Sequence, residues 1–235
     1  MSLPKINYPL FDVTVPSTNV KIKMRPFLVK EEKILLMAQT SGNAEDIVTS
    51  ITQVVNNCII GDTDVNGLTT FDLEYLFVKL RSRSVNNKID VFYKDDEDGQ
   101  QYKLEVDLDL INISRDPEHN NNVKINESLG LILCYPRTDM MSKLSQAKSE
   151  VDLYFEVVKH SIEKIYDADN VYNVSDYTDE ELDEFLATLD VSSFRQVQKF
   201  LETMPKLKYE TSYTNSLGKE KKVVLNNLND FFMLG

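Results

Sequence analysis

The chain has 235 residues, of which 42% are hydrophobic and 27% are charged, a composition that is ordinary for a globular protein and argues against wholesale disorder. The formal net charge of −12 argues against nucleic-acid binding, because such binding draws most of its affinity from Lys and Arg against phosphate. Apolar runs fall short of the about 18 residues that a membrane span needs, and residues 1–5 lack the apolar core of a signal peptide, so we expect neither a membrane span nor secretion.

The first third of the chain predicts a β-hairpin followed by three helices. The strands of the hairpin are marked by apolar residues that alternate with polar ones on both sides of a turn at 16–19: Phe11, Val13, Val15, Val20, Ile22 and Met24. Apolar residues at helical spacing then predict helices at 29–39, 44–59 and 71–84. Gly42 is the expected end of the first helix.

The middle of the chain predicts antiparallel strands. Strand patterns occur at 88–93, 102–108, 123–125 and 129–135. The first two flank an acidic turn at 94–99, which predicts a second hairpin. Pro136 is the expected end of this β region.

The last third predicts mainly helices. Heptad-like spacing of apolar residues predicts one helix that includes Val151, Phe155, Val158, Ile162 and Ile165. Capping boxes at 178–181 and 193–196 predict the starts of two more. A hairpin over 207–214 and 220–225 and a short apolar helix at 228–234 are expected to close the chain.

These elements predict an α+β fold with an N-terminal β-hairpin and helices, central antiparallel strands, and C-terminal helices that end in a β-hairpin and a short helix. The expected regions are 1–85, 86–136 and 137–235, either separate or joined as one compact unit. The basic stretches at 79–83 and 219–222 are short, and we interpret them as solvated faces.

One motif suggests a metal site. Residues 62–67 match the first six positions of an EF-hand calcium loop, but the twelfth position, which should supply a bidentate Glu, is Leu73. We interpret the segment as an acidic turn in which Gly67 takes a positive φ. A calcium-binding regulatory protein with a degenerate EF-hand-like loop at 62–73 is the alternative function.

Catalytic motifs are missing from the sequence. Cys58 and Cys134 lie in apolar stretches and are expected to be buried free thiols, with a disulfide or a nucleophile as alternatives. His119 and His160 have no nucleophile motif near them, and no glycine-rich phosphate loop is present. We therefore predict no enzyme activity, no cofactor and no metal, while a small hydrolase that uses His119 or His160 stays an alternative.

Two apolar features admit a partner-binding interpretation. Tyr75 falls off the apolar stripe of the helix at 71–84, so it is predicted to face a partner. The terminal apolar helix, which contains Phe231 and Phe232, is expected either to fold back on the core or to dock on another protein.

Three segments resemble the baseplate hub proteins of T4-like contractile-tailed phages, a family of hub subunits and hub assembly proteins. They are Leu3-Pro4-Lys5 to Tyr8-Pro9, Arg25-Pro26-Phe27-Leu28-Val29-Lys30-Glu31-Glu32-Lys33, and Phe71-Asp72-Leu73-Glu74-Tyr75-Leu76-Phe77 through Leu80-Arg81. The clear similarity covers about the first 85 residues. The rest of the chain is similar in general layout.

This resemblance implies a non-enzymatic role in virion morphogenesis. Such a protein binds other phage hub and tail proteins in the host cytoplasm, as an assembly chaperone or as a subunit that stays in the tail baseplate; an anti-host regulator is a further alternative. The residues expected to bind partners are Arg25, Pro26, Phe27, Phe71, Tyr75, Phe231 and Phe232. The segments expected to carry most of the function are 25–33 and 71–81.

Overall fold

The computed structural model describes residues 7–140, 149–226 and 228. The chain divides into two compact units. The first unit comprises residues 1–114 and 206–235, and the second comprises 115–205. Helices and antiparallel sheets occur in both units, which confirms the predicted α+β class. The division into regions 1–85, 86–136 and 137–235, either separate or joined as one compact unit, stays a prediction.

The described residues form the following helices and strands. The helices are α1 (Val29–Ser41), α2 (Ala44–Cys58), α3 (Thr70–Ser84), α4 (Glu150–His160), α5 (Asp179–Ala187) and α6 (Val191–Thr203). The strands are β1 (Phe11–Thr14), β2 (Lys21–Met24), β3 (Ile59–Ile60), β4 (Lys88–Lys94), β5 (Gln101–Asp107), β6 (Asn112–Ser114), β7 (Asn122–Lys124), β8 (Gly130–Leu133), β9 (Ile162–Tyr166), β10 (Val171–Asn173), β11 (Lys206–Thr214) and β12 (Glu220–Leu225).

The first unit begins with the predicted hairpin. Strands β1 and β2 pair in antiparallel register, with Val13 opposite Ile22, and β3 extends the sheet on the other side of β2. One face of this sheet packs on α1, α2 and α3, because the alternating apolar residues of the strands and the apolar stripes of the helices share one buried cluster.

Local sequence explains the ends of these helices. Gly42 takes a left-handed conformation (φ 67°) and ends α1, as predicted. The Asn43 side chain accepts a hydrogen bond from the Glu45 N–H and so caps α2. Thr69 caps α3 through a capping box with Asp72, which the sequence analysis did not predict.

The remaining strands of the first unit enclose a second apolar cluster. Hairpin β4–β5 and the sheet of order β12-β11-β6 contribute to this cluster, together with Val78 from α3. Both hairpins were predicted, whereas β6 was not. Pairing of β6 with β11 brings Ser114 opposite Lys206, so the chain leaves and re-enters the first unit on neighbouring strands.

In the second unit, a four-stranded antiparallel sheet of order β10-β9-β8-β7 shares a third apolar cluster with α4, α5 and α6. The prediction that Pro136 ends the β region is therefore wrong. The predicted helical seam from Val151 to Ile165 is also wrong beyond His160, because Ile162 and Ile165 lie in β9.

A β-bulge explains this error. Ile132 pairs with Lys164 and the next residue, Leu133, pairs with Ile162, so Glu163 is an extra residue in β9. The extra residue places Ile162 and Ile165 on the same buried face although they are three positions apart. Apolar residues at a spacing of three imitate a helical stripe.

The start of α6 also differs from the prediction. The capping box at 178–181 is confirmed, since Thr178 caps α5. The box at 193–196 is wrong, because the helix already begins at Val191 and Asp190 is its cap. The Asp190 carboxylate accepts from the Ser193 N–H (2.8 Å) and the Ser192 hydroxyl (2.7 Å). Asp and Ser are similarly favourable N-caps, so residue type alone does not distinguish Asp190 from Ser193.

Candidate partner-binding surfaces

Arg25 connects the hairpin to the helices of the first unit. Its guanidinium donates to Glu31 Oε1 (2.9 Å), to the Asn57 carbonyl (2.8 Å) and to the Pro26 carbonyl (3.0 Å). Its backbone N–H donates to the Cys58 carbonyl (2.9 Å). Only 16% of the side chain is exposed. Both terminal guanidinium nitrogens and the backbone N–H of Arg25 are therefore bonded within the first unit.

The buried carboxylate of Glu31 explains why Arg25 is held in this position. The Glu31 side chain is 0% exposed and accepts bonds from Arg25 and from the Leu28 N–H (2.9 Å), while Lys30 Nζ lies 3.4 Å from it. Burial opposes ionisation of Glu31, but the hydrogen bonds from Arg25 and the Leu28 N–H outweigh it and lower the pKa of the carboxyl. Arg25 therefore neutralises a buried carboxylate at the start of α1.

Phe27 and Phe71 are interior residues. Phe27 is 7% exposed, and its N–H donates to the Ser84 hydroxyl (2.9 Å) at the end of α3. Phe71 is 1% exposed and lies in the first turn of the same helix. At a rise of about 1.5 Å per residue, Phe71 and Ser84 are about 20 Å apart along the helix. The structure therefore does not bring the two phenylalanines together.

Tyr75 lies between the two apolar clusters of the first unit and packs against both. Burial raises the pKa of its hydroxyl, and Lys79 Nζ lies 5.2 Å from the ring centroid. Phe231 and Phe232 lie outside the described residues. Partner binding by the seven predicted residues stays a prediction.

The outward face of α1 is an exposed apolar surface that the sequence reasoning missed. Val29, Leu36 and Met37 are 86%, 54% and 64% exposed. Ile34 and Leu35 pack inward. A sequence signal existed, because residues 34–37 are four consecutive apolar residues and no single face of a helix can bury all of them.

The comparison with protein families identifies the chain. Residues 8–233 match the family described as T4 bacteriophage base plate protein. The chain belongs to this family. Comparisons with curated proteins and with solved structures found no match. Family membership supports a structural or assembly role in the phage baseplate, with other baseplate proteins as partners.

Among the described residues of this baseplate protein, no helix is long and apolar enough to cross a membrane. The described helices instead pack on sheets within the two units.

The thiols of this baseplate protein are free. Cys58 is fully buried, and burial raises its pKa to about 11. Cys134 was also expected to be buried, but it is only half-buried. Burial nevertheless raises its pKa, and its thiol donates to the His160 carbonyl (3.7 Å). Neither environment favours the thiolate that nucleophilic chemistry requires.

Thiol labelling checks this assignment. We expect Cys58 in the native protein at pH 8 to react with an aromatic disulfide reagent at least about tenfold more slowly than in urea, because only about a thousandth of a thiol with a pKa near 11 is ionised at that pH. Mass spectrometry of the labelled peptides separates Cys58 from Cys134. Equal rates for Cys58 in native and unfolded protein would contradict its burial.

His119 lies in an aromatic cluster of the second unit. His119 stacks against Tyr135 and Phe200, with ring centroids 5.5 and 4.9 Å away, and burial lowers its pKa. Its Nδ1 lies 2.9 Å from the Thr203 hydroxyl, which itself donates to the Lys199 carbonyl (2.7 Å). Because the Thr203 hydroxyl donates to the Lys199 carbonyl, the hydrogen-bond network assigns the proton of this contact to Nδ1, and this tautomer does not activate the hydroxyl as a nucleophile.

The calcium-loop segment is held by local bonds. Asp64 Oδ1 accepts from the Asn66 N–H (3.0 Å), and the Asp72 carboxylate is bonded to Ser17 and Thr69. Within the part of the chain that the structure describes, no group of three His, Cys, Asp or Glu is placed to hold a metal. The predicted positive φ of Gly67 is wrong: Gly61 takes that conformation (φ 118°), at the end of β3.

The acidic turn at 94–99 and the basic stretch at 219–222 meet in the first unit. Glu97 forms ion pairs with Lys219 and with Lys221 (2.5 Å). Beside them, Tyr213 donates to Asp95 (2.5 Å) and Tyr102 donates to Asp98 (2.6 Å). The Lys219 and Lys221 side chains are 59% and 37% exposed, so these ion pairs lie on a solvated face, as interpreted. Two hairpin tips are joined by opposite charges and by tyrosine–carboxylate bonds.

These bonds predict a pH dependence. The hydrogen bond from Tyr213 lowers the pKa of Asp95 below its unfolded value of about 4. The Tyr213–Asp95 bond therefore stabilises the folded protein above about pH 4, and this stabilisation is lost as the pH falls through the pKa of Asp95 in the folded protein. We expect Tyr213→Phe to be less stable than wild type at pH 6, and the difference to shrink by about pH 3.

Urea unfolding at both pH values measures the effect. Tyr209→Phe is the control. The Tyr209 hydroxyl accepts a hydrogen bond from the Asp107 backbone N–H (3.4 Å), and this bond involves no carboxylate. Its difference from wild type should not depend on pH. An effect of Tyr213→Phe that stays constant from pH 6 to about pH 3 would contradict the assignment.

Proposed function

We propose that this chain is a non-enzymatic assembly protein of the phage tail baseplate hub. It acts in the host cytoplasm during virion morphogenesis by binding other hub and tail proteins, either as a chaperone or as a subunit that stays in the baseplate. The family match over residues 8–233 carries the baseplate part of this proposal. The resemblance of residues 25–33 and 71–81 to hub proteins supports the hub part.

The structure of the 25–33 segment is compatible with this role. The Arg25–Glu31 pair fixes the first turn of α1 against the Asn57 carbonyl of α2. Within that fixed turn, Val29 is 86% exposed. A rigid frame that presents exposed apolar side chains is suited to protein binding, because little conformational entropy is lost on association. We propose that Arg25, Pro26 and Phe27 contribute to partner binding by holding this frame.

Affinity capture from infected cells tests the function. The tagged protein, supplied during infection, should co-purify with hub and tail proteins identified by mass spectrometry, and an infection with untagged protein is the control. Hub proteins enriched over the control would support the proposal. Recovery of host proteins without any tail protein would overturn it and favour an anti-host regulator.

A further inference from the structure

The outward face of α1 has the composition of an interface. Val29, Lys33, Leu36 and Met37 are spaced i, i+4, i+7 and i+8, so they share one side of the helix. The three apolar members are each more than half exposed. Lys30, also exposed, flanks this side. We call these five residues the α1 face; it is apolar with positive charge.

A second exposed apolar surface lies on the second unit. Val151 (64% exposed) and Phe155 (46% exposed) are one turn apart on α4. Phe155 stacks on Phe194 of α6, with centroids 5.2 Å apart and planes at 24°. Val191, one turn before Phe194, is 69% exposed. These four residues form a continuous patch across two helices, the α4–α6 face.

The two faces differ in charge. Asp152 follows Val151 and Asp190 precedes Val191, and both carboxylates are exposed. Residues 115–205, which form the second unit, contain 18 Asp and Glu against 9 Lys and Arg. The α1 face carries Lys30 and Lys33 with one flanking carboxylate, Glu32, and the α4–α6 face has one flanking cation, Arg195, so the two faces keep net charges of opposite sign. Charge attraction therefore favours contact between unlike faces, while contact between two α1 faces would bring lysines together.

We propose that the α1 face of one copy binds the α4–α6 face of a second copy of this chain. Such a contact buries apolar side chains that a monomer leaves in water, with opposite charges at its rim. Because the two faces are different, the contact is heterologous, so it generates a closed ring or an open chain of copies. This self-association does not depend on the hub assignment.

Sedimentation and light scattering of the purified full-length protein test the proposal. Wild type should form assemblies larger than a monomer that grow with concentration or close at a fixed size. Leu36→Glu removes the α1 face and Phe155→Glu removes the α4–α6 face, so each variant alone should be monomeric. An equimolar mixture should give a one-to-one dimer, because each variant retains the face that the other lacks.

Control variants keep the outcome clear. Leu217→Glu, at a 58% exposed position on the tip of hairpin β11–β12, should assemble like wild type. Val151→Glu is a second disruption of the α4–α6 face that leaves the Phe155–Phe194 stack in place, should Phe155→Glu fail to fold. A monomeric wild type, or a mixture that stays monomeric, would overturn the proposal without affecting capture of hub proteins from infected cells.

Discussion

Arg25→Ala is expected to lower the free energy of unfolding by about 3–5 kcal/mol, because it leaves a buried carboxylate without its counter-charge. Glu31 is 0% exposed, and Arg25 is its closest cationic partner at 2.9 Å. The same change also removes the bonds to the Asn57 and Pro26 carbonyls. Urea unfolding followed by circular dichroism measures the difference.

Lys30→Ala is the matched control for this prediction. Lys30 also pairs with Glu31, at 3.4 Å, but 68% of its side chain is exposed. Exposed pairs of this kind contribute at most about 1 kcal/mol, so the control should unfold almost like wild type. Equal losses in the two variants would show that Arg25 has no special role as the counter-charge.

Asp72→Ala is expected to lower the free energy of unfolding by about 2–4 kcal/mol, since it removes the carboxylate half of the α3 capping box and leaves buried donors unsatisfied. The buried carboxylate accepts from the Ser17 N–H (2.9 Å) and hydroxyl (2.6 Å) and from the Thr69 hydroxyl (2.7 Å). It therefore joins the turn of the first hairpin to the start of α3. Thermal and urea unfolding measure the loss.

Asp64→Ala is the matched control within the same loop. The Asp64 carboxylate accepts only the local bond from the Asn66 N–H among the bonds described for it, so the change should stay within about 0.5 kcal/mol. Millimolar calcium should leave the unfolding temperature unchanged in both proteins. An increase in wild type that is lost in Asp64→Ala would establish a calcium site in the loop instead.

The sequence correctly predicted helix ends that depend only on neighbouring residues. Gly42 ends α1 because a left-handed residue stops the helix, and Thr178 begins α5 through its capping box. The strand β9 was missed because the bulge at Glu163 gives its buried residues a helix-like spacing. The bulge could not be predicted, because it depends on the register in which β9 pairs with its partner strand β8.

Contacts distant in sequence explain the remaining differences. The pairing of β6 with β11 and the ion pairs between Glu97 and the Lys219–Lys221 tip join segments about a hundred residues apart. No local pattern contains them. Residues 25–27 were selected because they resemble hub proteins. Only the structure shows that Phe27 is interior and that Val29, Leu36 and Met37 face outward.

The most direct test of the hub proposal is an infection by phage in which the gene for this chain is inactivated. Tail intermediates would be purified and analysed by electron microscopy and mass spectrometry, with the gene supplied from a plasmid as the control. We predict that hub proteins accumulate unassembled, that baseplates lack a complete hub, and that the plasmid restores infectious particles. Complete tails and normal progeny without the chain would contradict its role in hub assembly.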